Sequence, residues 1–336
     1  MFTIGIIANP ASGKDIRRLV SHATVVDNNE KVNIVERIIL AAQACGVTKV
    51  YIMPDTYQIG YKAEDNLVTS GELKAEIEIL NMKISGTLSD TVMTAGTLEK
   101  IGVGCIVVLG GDGSCRAAAK GIESTPLIGV STGTNNVYPE MIEGTVAGMA
   151  AAAAALKKGD LQDICKKDKR IEIYKDEKLI DIALVDVVLS KNIFVGAKAI
   201  WNMEDILKVI VSRGHPASIG FSSLVGCKKI IKEEDDFGAC IDLTKDKYEI
   251  LAPIAAGLVK SIKSGEPEII QLDKEYVYTA ESKGIIALDG EREITFNQGE
   301  RFVFKITRNG PFHVDVRKTL EIAQINGFFD GKNRAL

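Results

Sequence analysis

The chain has 336 residues, 46% apolar and 26% charged, enough for about two domains that each bury a core. A net charge of -4 excludes general electrostatic attraction to nucleic acid or anionic lipid, and no apolar stretch is long enough to span a bilayer. The amino end has no basic flank before its apolar run, unlike a signal peptide, so the expected location is cytoplasmic.

Residues 2–8 form an apolar run that predicts a first strand. It leads into Asn9-Pro10-Ala11-Ser12-Gly13-Lys14, with Arg17 and Arg18 just beyond. Residues 32–45 predict a helix with Ile34, Ile38 and Ala41 on one face. Residues 49–53 and 75–80 predict extended runs, and residues 90–101 a second helix. Residues 105–109 are continuously apolar, as suits a parallel strand covered on both faces, and end in Gly110-Gly111-Asp112-Gly113-Ser114. An alanine-rich helix is expected over 114–120. A short apolar run follows at 126–130, then the cluster Ser131-Thr132-Gly133-Thr134-Asn135-Asn136. Residues 145–156, nearly all alanine, methionine and valine, predict a closely packed helix. This alternation indicates a parallel sheet.

Lysines and aspartates between 157 and 170 mark a change of character. Strand-like segments follow at 170–174, 179–189, 250–256, 268–272, 276–279, 284–288, 293–295 and 301–307, with helices expected at 201–210 and 320–325. The pattern suggests a β-rich second domain. Asp289-Gly290 between two of these strands is a hairpin-turn signal.

The chemistry concentrates at three strand ends. Glycines at 110, 111 and 113 let backbone N–H groups approach a ligand, and the helix start behind them favours phosphate. A carboxylate there would repel phosphate unless Asp112 holds a metal ion or accepts a proton; the alternative is a plain turn-forming aspartate, and composition leaves the two even. Residues 131–136 can bind phosphate or ribose oxygens, or simply cap a helix. All three segments would share the carboxyl edge of the sheet, where open α/β folds bind ligands. Ser12-Gly13-Lys14-Asp15 is not a P-loop. A dinucleotide fingerprint, a hydrolase elbow and protein-kinase signatures are also missing. The six cysteines have no metal-ligand spacing and read as reduced, mostly buried thiols. Cys115 stands out, because a helix N-terminus tends to lower a thiol pKa. His22, His215 and His313 form no recognisable triad or metal pattern.

The combination of Asn9–Lys14, Gly110-Gly111-Asp112-Gly113 and Gly133-Thr134-Asn135-Asn136 resembles the superfamily of NAD kinases and diacylglycerol or sphingosine kinases. Within it, the chain is most similar to the AcoX-type ATP-NAD kinase-like proteins associated with acetoin catabolism. Residues 183–189, 194–201, 219–226 and 287–292 also match. The resemblance implies an α/β fold with an N-terminal parallel-sheet nucleotide-binding domain (1–156) and a C-terminal β-rich domain (157–315). The active site lies between them, and a last helix near 316–336 packs back on the first domain. It implies phosphoryl transfer from ATP or another donor, with Mg²⁺, to a hydroxyl of NAD or a small hydroxylated acceptor. NAD(P) is a candidate ligand and a homo-oligomer the expected assembly.

The resemblance also implies roles. Asp112 would be the catalytic base and a metal ligand. Asn9, Pro10, Ser12, Gly13, Lys14, Gly110, Gly111, Gly113, Ser114, Arg116, Thr132, Gly133, Thr134, Asn135 and Asn136 would bind nucleotide and phosphate. Asp186 and Glu291 would meet the acceptor, with Asp289 near the metal or the acceptor. The chain departs from the pattern in three places. Ser114 replaces the usual Thr, Val185-Asp186 stands where NAD kinases carry Asn-Glu, and Asn135-Asn136 replaces the Asn-Asp of diacylglycerol-type kinases. Two alternatives follow. One is a lipid or polyol kinase, signalled for a lipid by an apolar tunnel reaching Phe221 and Leu224. The other is a non-catalytic nucleotide sensor of acetoin catabolism.

Overall fold

A computed structural model describes residues 2–12, 22–24, 26–156, 161–191 and 203–330. Strands and helices alternate through the first part. In chain order they are β1 (Thr3–Ala8), α1 (Asn28–Ala44), β2 (Lys49–Ile52), α2 (Ile59–Thr69), β3 (Glu76–Ile79), α3 (Leu88–Ile101), β4 (Ile106–Gly110), α4 (Asp112–Gly121), β5 (Leu127–Ser131) and α5 (Gly144–Ala155). The strands lie in the order β3-β2-β1-β4-β5, and all pair in parallel. The chain builds outward from β1 on one side and then from β4 on the other, so the direction of winding switches between them. Ligands of such sheets sit in the crevice at that switch. Every residue of β4 is buried, as expected for a strand covered on both faces. α1, α2 and α5 cover one face and α3 and α4 the other. α5 approaches α1 so closely that a Cβ on Gly148 would lie 2.4 Å from the Ile38 carbonyl oxygen.

The chain continues through α6 (Leu161–Ile164), β6 (Cys165–Lys167), β7 (Arg170–Lys175), β8 (Lys178–Ala183), β9 (Asp186–Ser190), β10 (Ile206–Val211), α7 (Ser222–Gly226), β11 (Phe237–Asp242), β12 (Tyr248–Ala255), β13 (Leu258–Ser264), β14 (Glu268–Gln271), β15 (Glu275–Thr279), β16 (Gly284–Leu288), β17 (Glu291–Phe296) and β18 (Arg301–Thr307). From β7 to β18 the pairing is antiparallel, in a six-stranded sheet β14-β11-β10-β9-β16-β17, a four-stranded sheet β15-β18-β7-β8 and the hairpin β12-β13. Residues of the two larger sheets share one core, including Ile171, Phe302, Phe304, Val187, Ile210 and Ile286. Alternate residues of the six-stranded sheet, such as Val188, Val209 and Ile241, pack with α7 and the hairpin. The chain then returns through β19 (Phe312–Val314), which joins the first sheet between β5 and β6, and α8 (Val316–Ile325), which packs on α5. The fold is thus mixed α/β, a parallel-sheet part followed by antiparallel sheets.

Two sequence expectations are corrected. Residues 206–211 form the strand β10, not part of a helix, and residues 201–202 lie outside the described set. β10 packs Ile210 into one core and Val209 and Val211 into the other, so both faces are apolar and alternation disappears. A buried strand and a buried helix then look alike in sequence. The run 179–189 is two strands in different sheets, broken at Leu184 and Val185. Helix α2 and the strands β11 and β13 were not foreseen. Among the described residues no helix is long and apolar enough to cross a membrane.

Candidate functional site

The carboxyl ends of β1, β4 and β5 lie side by side, with Ala8 opposite Leu109 and Gly110 opposite Ser131. A cavity of about 450 Å³ opens over this edge, within the usual range for small-ligand sites. Its floor comes from Asn9, Ser12, Gly111, Asp112, Gly113, Ser114, Asn135 and Asn136, and its opposite wall from Asp186, Phe221, Ile254, Asp289 and Glu291. Both halves of the chain therefore contribute.

Asp112 is the first residue of α4, behind the N-cap Gly111. Its Oδ1 accepts the backbone N–H of Val137 at 2.9 Å and of Tyr138 at 2.7 Å, which fixes the carboxylate at the cavity. The glycines around it are needed for close approach rather than for unusual backbone angles. A Cβ on Gly110 would lie 2.5 Å from Ser114 Oγ, and one on Gly111 2.7 Å from Asn136 Oδ1. Ser114 Oγ in turn accepts Asn9 Nδ2 at 3.2 Å, and Ser12 Oγ lies 3.2 Å from Thr132 Oγ1, so the three strand-end loops are mutually hydrogen-bonded. Asn136 Nδ2 donates to Ser131 Oγ and to the Gly133 carbonyl.

Thr134 Oγ1 and Asn135 Oδ1 are buried without a hydrogen-bond partner. Buried polar atoms of this kind carry a desolvation cost that a hydrogen-bonding ligand would relieve. Thr132 is wholly buried and, like Pro10, Gly133 and Thr134, supports the site without lining the cavity. Gly13, Lys14, Arg17 and Arg18 lie outside the described residues, as does the whole 194–201 stretch.

Three placements were not readable from the sequence. Lys31, wholly buried in the first turn of α1, donates from Nζ to the carbonyls of Asn9 (2.9 Å) and Ser12 (2.8 Å) and so ties down the first loop. Its spacing with Ile34, Val35 and Ile38 puts a lysine on the apolar stripe, a signal that could have exposed it. Arg116 does not line the cavity. It is buried 3.2 Å from Asp181 and 4.0 Å from Asp289, linking α4 to the β-rich part. Asp289 sits at φ 48 and Gly290 at φ 84, forming the expected tight turn between β16 and β17. Its carboxylate accepts the N–H groups of Leu184, Val185 and Asp186 at 2.7, 2.8 and 3.0 Å. Burial raises the Asp289 pKa, against the pull of Arg116 and those amides.

Glu291 reaches across to α4, where a Cβ on Gly113 would come 3.0 Å from its Cγ. The carboxylates of Asp112, Asp186 and Glu291 line one cavity and are the oxygen ligands a hard cation prefers, although among the described residues their oxygens do not gather within 4.8 Å of one another. Cys115 is wholly buried, and burial, with the charges of Asp112 and Asp289, pushes its thiol pKa well up, so it is a structural thiol. His215 Nδ1 accepts the Ala217 N–H within its own turn and lies outside the cavity lining. The donor atoms of His313, Asp168 and Glu233 gather within 4.8 Å of one another. Arg213 already bridges the two acids there, at 3.3 and 2.5 Å, and its charge opposes a metal.

Comparison with known proteins agrees with this geometry. Residues 4–160 match the family model of the ATP-NAD kinase N-terminal domain, and residues 169–309 that of the acetoin catabolism protein X C-terminal domain. A yeast NADH kinase solved with NADH has a similar fold, with a TM-score of 0.53 at 11% identity over 100% of this chain and 90% of that one. A candidate diacylglycerol kinase from Bacillus anthracis gives a TM-score of 0.44 at 11% identity, over 93% of this chain and 97% of that one. Acetoin catabolism protein X of Cupriavidus necator is 34% identical over 324 residues, 93% of this chain and 90% of that protein. With both halves matched in order, the chain belongs to the acetoin catabolism protein X family, built on an NAD kinase-like scaffold.

Proposed function

We propose that the protein is an ATP-dependent phosphotransferase that moves a phosphoryl group to the hydroxyl of a small hydroxylated acceptor. The supporting observation is the Asp112 carboxylate, held by two amides at a helix start and facing acids from the β-rich part across one cavity. In this reading the donor's phosphates lie along Asn9, Ser12, Gly111 and Gly113, with Lys14 offsetting charge on the transferred group. Thr134, Asn135 and Asn136 bind ribose or phosphate oxygens, and Asp186 and Glu291 face the acceptor. Asp112 takes the acceptor's proton as its oxygen bonds to the γ-phosphorus and the bond to the ADP oxygen breaks. Mg²⁺, with Asp112 as its protein ligand, would neutralise charge on the phosphates. The first 156 residues would form the nucleotide domain and residues 157–315 the acceptor domain.

Val185, where NAD kinases carry Asn, is wholly buried in the core, which weakens NAD as the acceptor. Phe221 lines the cavity but Leu224 is wholly buried and does not, so the apolar tunnel expected of a lipid kinase is not supported.

The test is to incubate pure protein with labelled ATP and Mg²⁺ and to screen NAD, NADH and small polyols for label. Label on one acceptor, lost in Asp112→Asn, is the expected outcome. Nucleotide binding by calorimetry with no transfer to any acceptor would replace the kinase reading with a nucleotide sensor.

A further inference from the structure

One of the two amides that hold Asp112 belongs to Tyr138, whose side chain lies outside the cavity. Tyr138 is 1% exposed and does not line the cavity. Its ring stacks on His313 of β19, with centroids 4.9 Å apart and planes 24° from parallel. The Arg213 guanidinium carbon lies 4.9 Å from the same ring. Arg213 and His313 Nδ1 each approach Asp168 Oδ2 at 3.3 Å, and Arg213 also pairs with Glu233 at 2.5 Å. Asp168 is anchored by its backbone, which exchanges hydrogen bonds with Gly310 and Pro311. The cluster therefore joins the segment after β5, the returning strand β19, the β6–β7 junction and the β-rich part.

We propose that Tyr138 is a positioning residue for Asp112, and that its clasp by His313 and Arg213 aims the carboxylate by fixing the 137–138 amides. The segment is pinned on both sides of Tyr138. Asn136 donates to Ser131 Oγ before it, and Glu140 exchanges backbone bonds with Gly129 and Ser131 after it. Between those pins the tyrosine ring is the largest wholly buried side chain, and it holds the segment that carries the two N–H groups. Aromatic stacking and a buried cation–π contact both favour one placement of the ring, and with it one orientation of this short segment. The clasp draws on Arg213 and Asp168, so docking of the β-rich part is coupled to the aim of a carboxylate it does not touch. The hydroxyl lies against the buried Asp168 carboxylate but makes no hydrogen bond of good geometry among the described residues, so the ring carries most of the effect and Phe should largely replace it.

The test is native-state hydrogen exchange of the full chain, comparing a peptide spanning 134–140 with one from the β12–β13 hairpin. Tyr138→Leu and His313→Leu should each speed exchange of the first peptide about tenfold, with the hairpin unchanged within about twofold; Tyr138→Phe should restore protection. Unchanged exchange in both Leu variants, or an equal rise in both peptides, overturns the proposal. The turnover arm alone rests on the phosphotransfer reading. There, Tyr138→Leu should turn over at least about tenfold slower than Tyr138→Phe with nucleotide affinity within about twofold. If the native protein transfers no phosphate, that reading fails while the exchange arm still decides the clasp.

Discussion

Asp112-Gly113 and Asp289-Gly290 are the same dipeptide, one after a parallel strand and one after an antiparallel strand, and they do different work. Asp112 opens α4, accepts the amides of Val137 and Tyr138 through Oδ1 and faces the cavity. Asp289 turns a hairpin with its side chain wholly buried, and spends its oxygens on the amides of Leu184, Val185 and Asp186 beside buried Arg116. Those amides fall at the break between β8 and β9, where no strand partner is available to both sheets. A carboxylate with all its acceptor sites committed is a structural cross-link. One held by two amides at the start of a helix, with its carboxylate on a ligand cavity, is placed to take part in chemistry.

The comparison predicts a clean separation of effects. Asp112→Asn should lower turnover about 10²- to 10⁴-fold while the melting temperature stays within about 3 °C, because the amide oxygen still accepts the 137–138 N–H groups. Unchanged turnover would remove Asp112 from the chemistry. Asp289→Ala should cost about 3–5 kcal/mol in urea unfolding, because it strands three buried amides and leaves Arg116 with Asp181 as its remaining acid neighbour. A loss under about 1 kcal/mol would erase the structural half of the contrast.

The following glycines should divide in the same way. Gly290→Ala forces a Cβ into φ 84 and should cost about 1–2 kcal/mol. Gly113→Ala lies inside a helix and meets only the flexible Glu291 side chain, so its stability should change by less than about 0.5 kcal/mol. Paired denaturation curves check both, and equal losses would contradict the assignment.

The smallest effect concerns a third buried carboxylate. Burial pushes the Asp168 pKa up, but Arg213 and His313 outweigh it and hold it well below the usual range. Its stabilisation is present above the unfolded value of about 3.9 and fades as the pH falls below it. Burial pushes His313 down, but Asp168 wins and raises it, against Arg213 and with Glu233 assisting; the Tyr138 phenol also lies against it. That stabilisation is complete below about pH 6.5 and fades as the pH rises through the folded value. Urea midpoints from pH 3 to 9 should show both declines, and His313→Gln should abolish the alkaline one while Arg213 keeps a smaller acid one. An alkaline decline that survives His313→Gln would remove this residue as its source.

Much of the fold was legible because its causes are local. The glycine after β4, the hydroxyl and amide cluster after β5 and the loop after β1 marked the shared edge of a parallel sheet, and the structure joins them through Asn9, Ser12, Ser114 and Thr132. The β10 segment was misread because burial on both faces erases the period-two pattern. Lys31 was missed because helical spacing says which face a residue occupies, not whether carbonyls wait there.

The sequence by itself determined where strands end in glycine, hydroxyl and amide groups, and therefore which edge could hold phosphate, because backbone freedom and helix starts are properties of neighbouring residues. Only the tertiary structure decided that, of two aspartates beside the cavity, Asp289 is buried as a cross-link between strands. It also decided that Arg116 bridges two acids, and that Tyr138, Asp168, Arg213 and His313 meet behind the site. Those assignments depend on partners brought together from distant segments, and a carboxylate's role is set by how many of its lone pairs such partners have already taken.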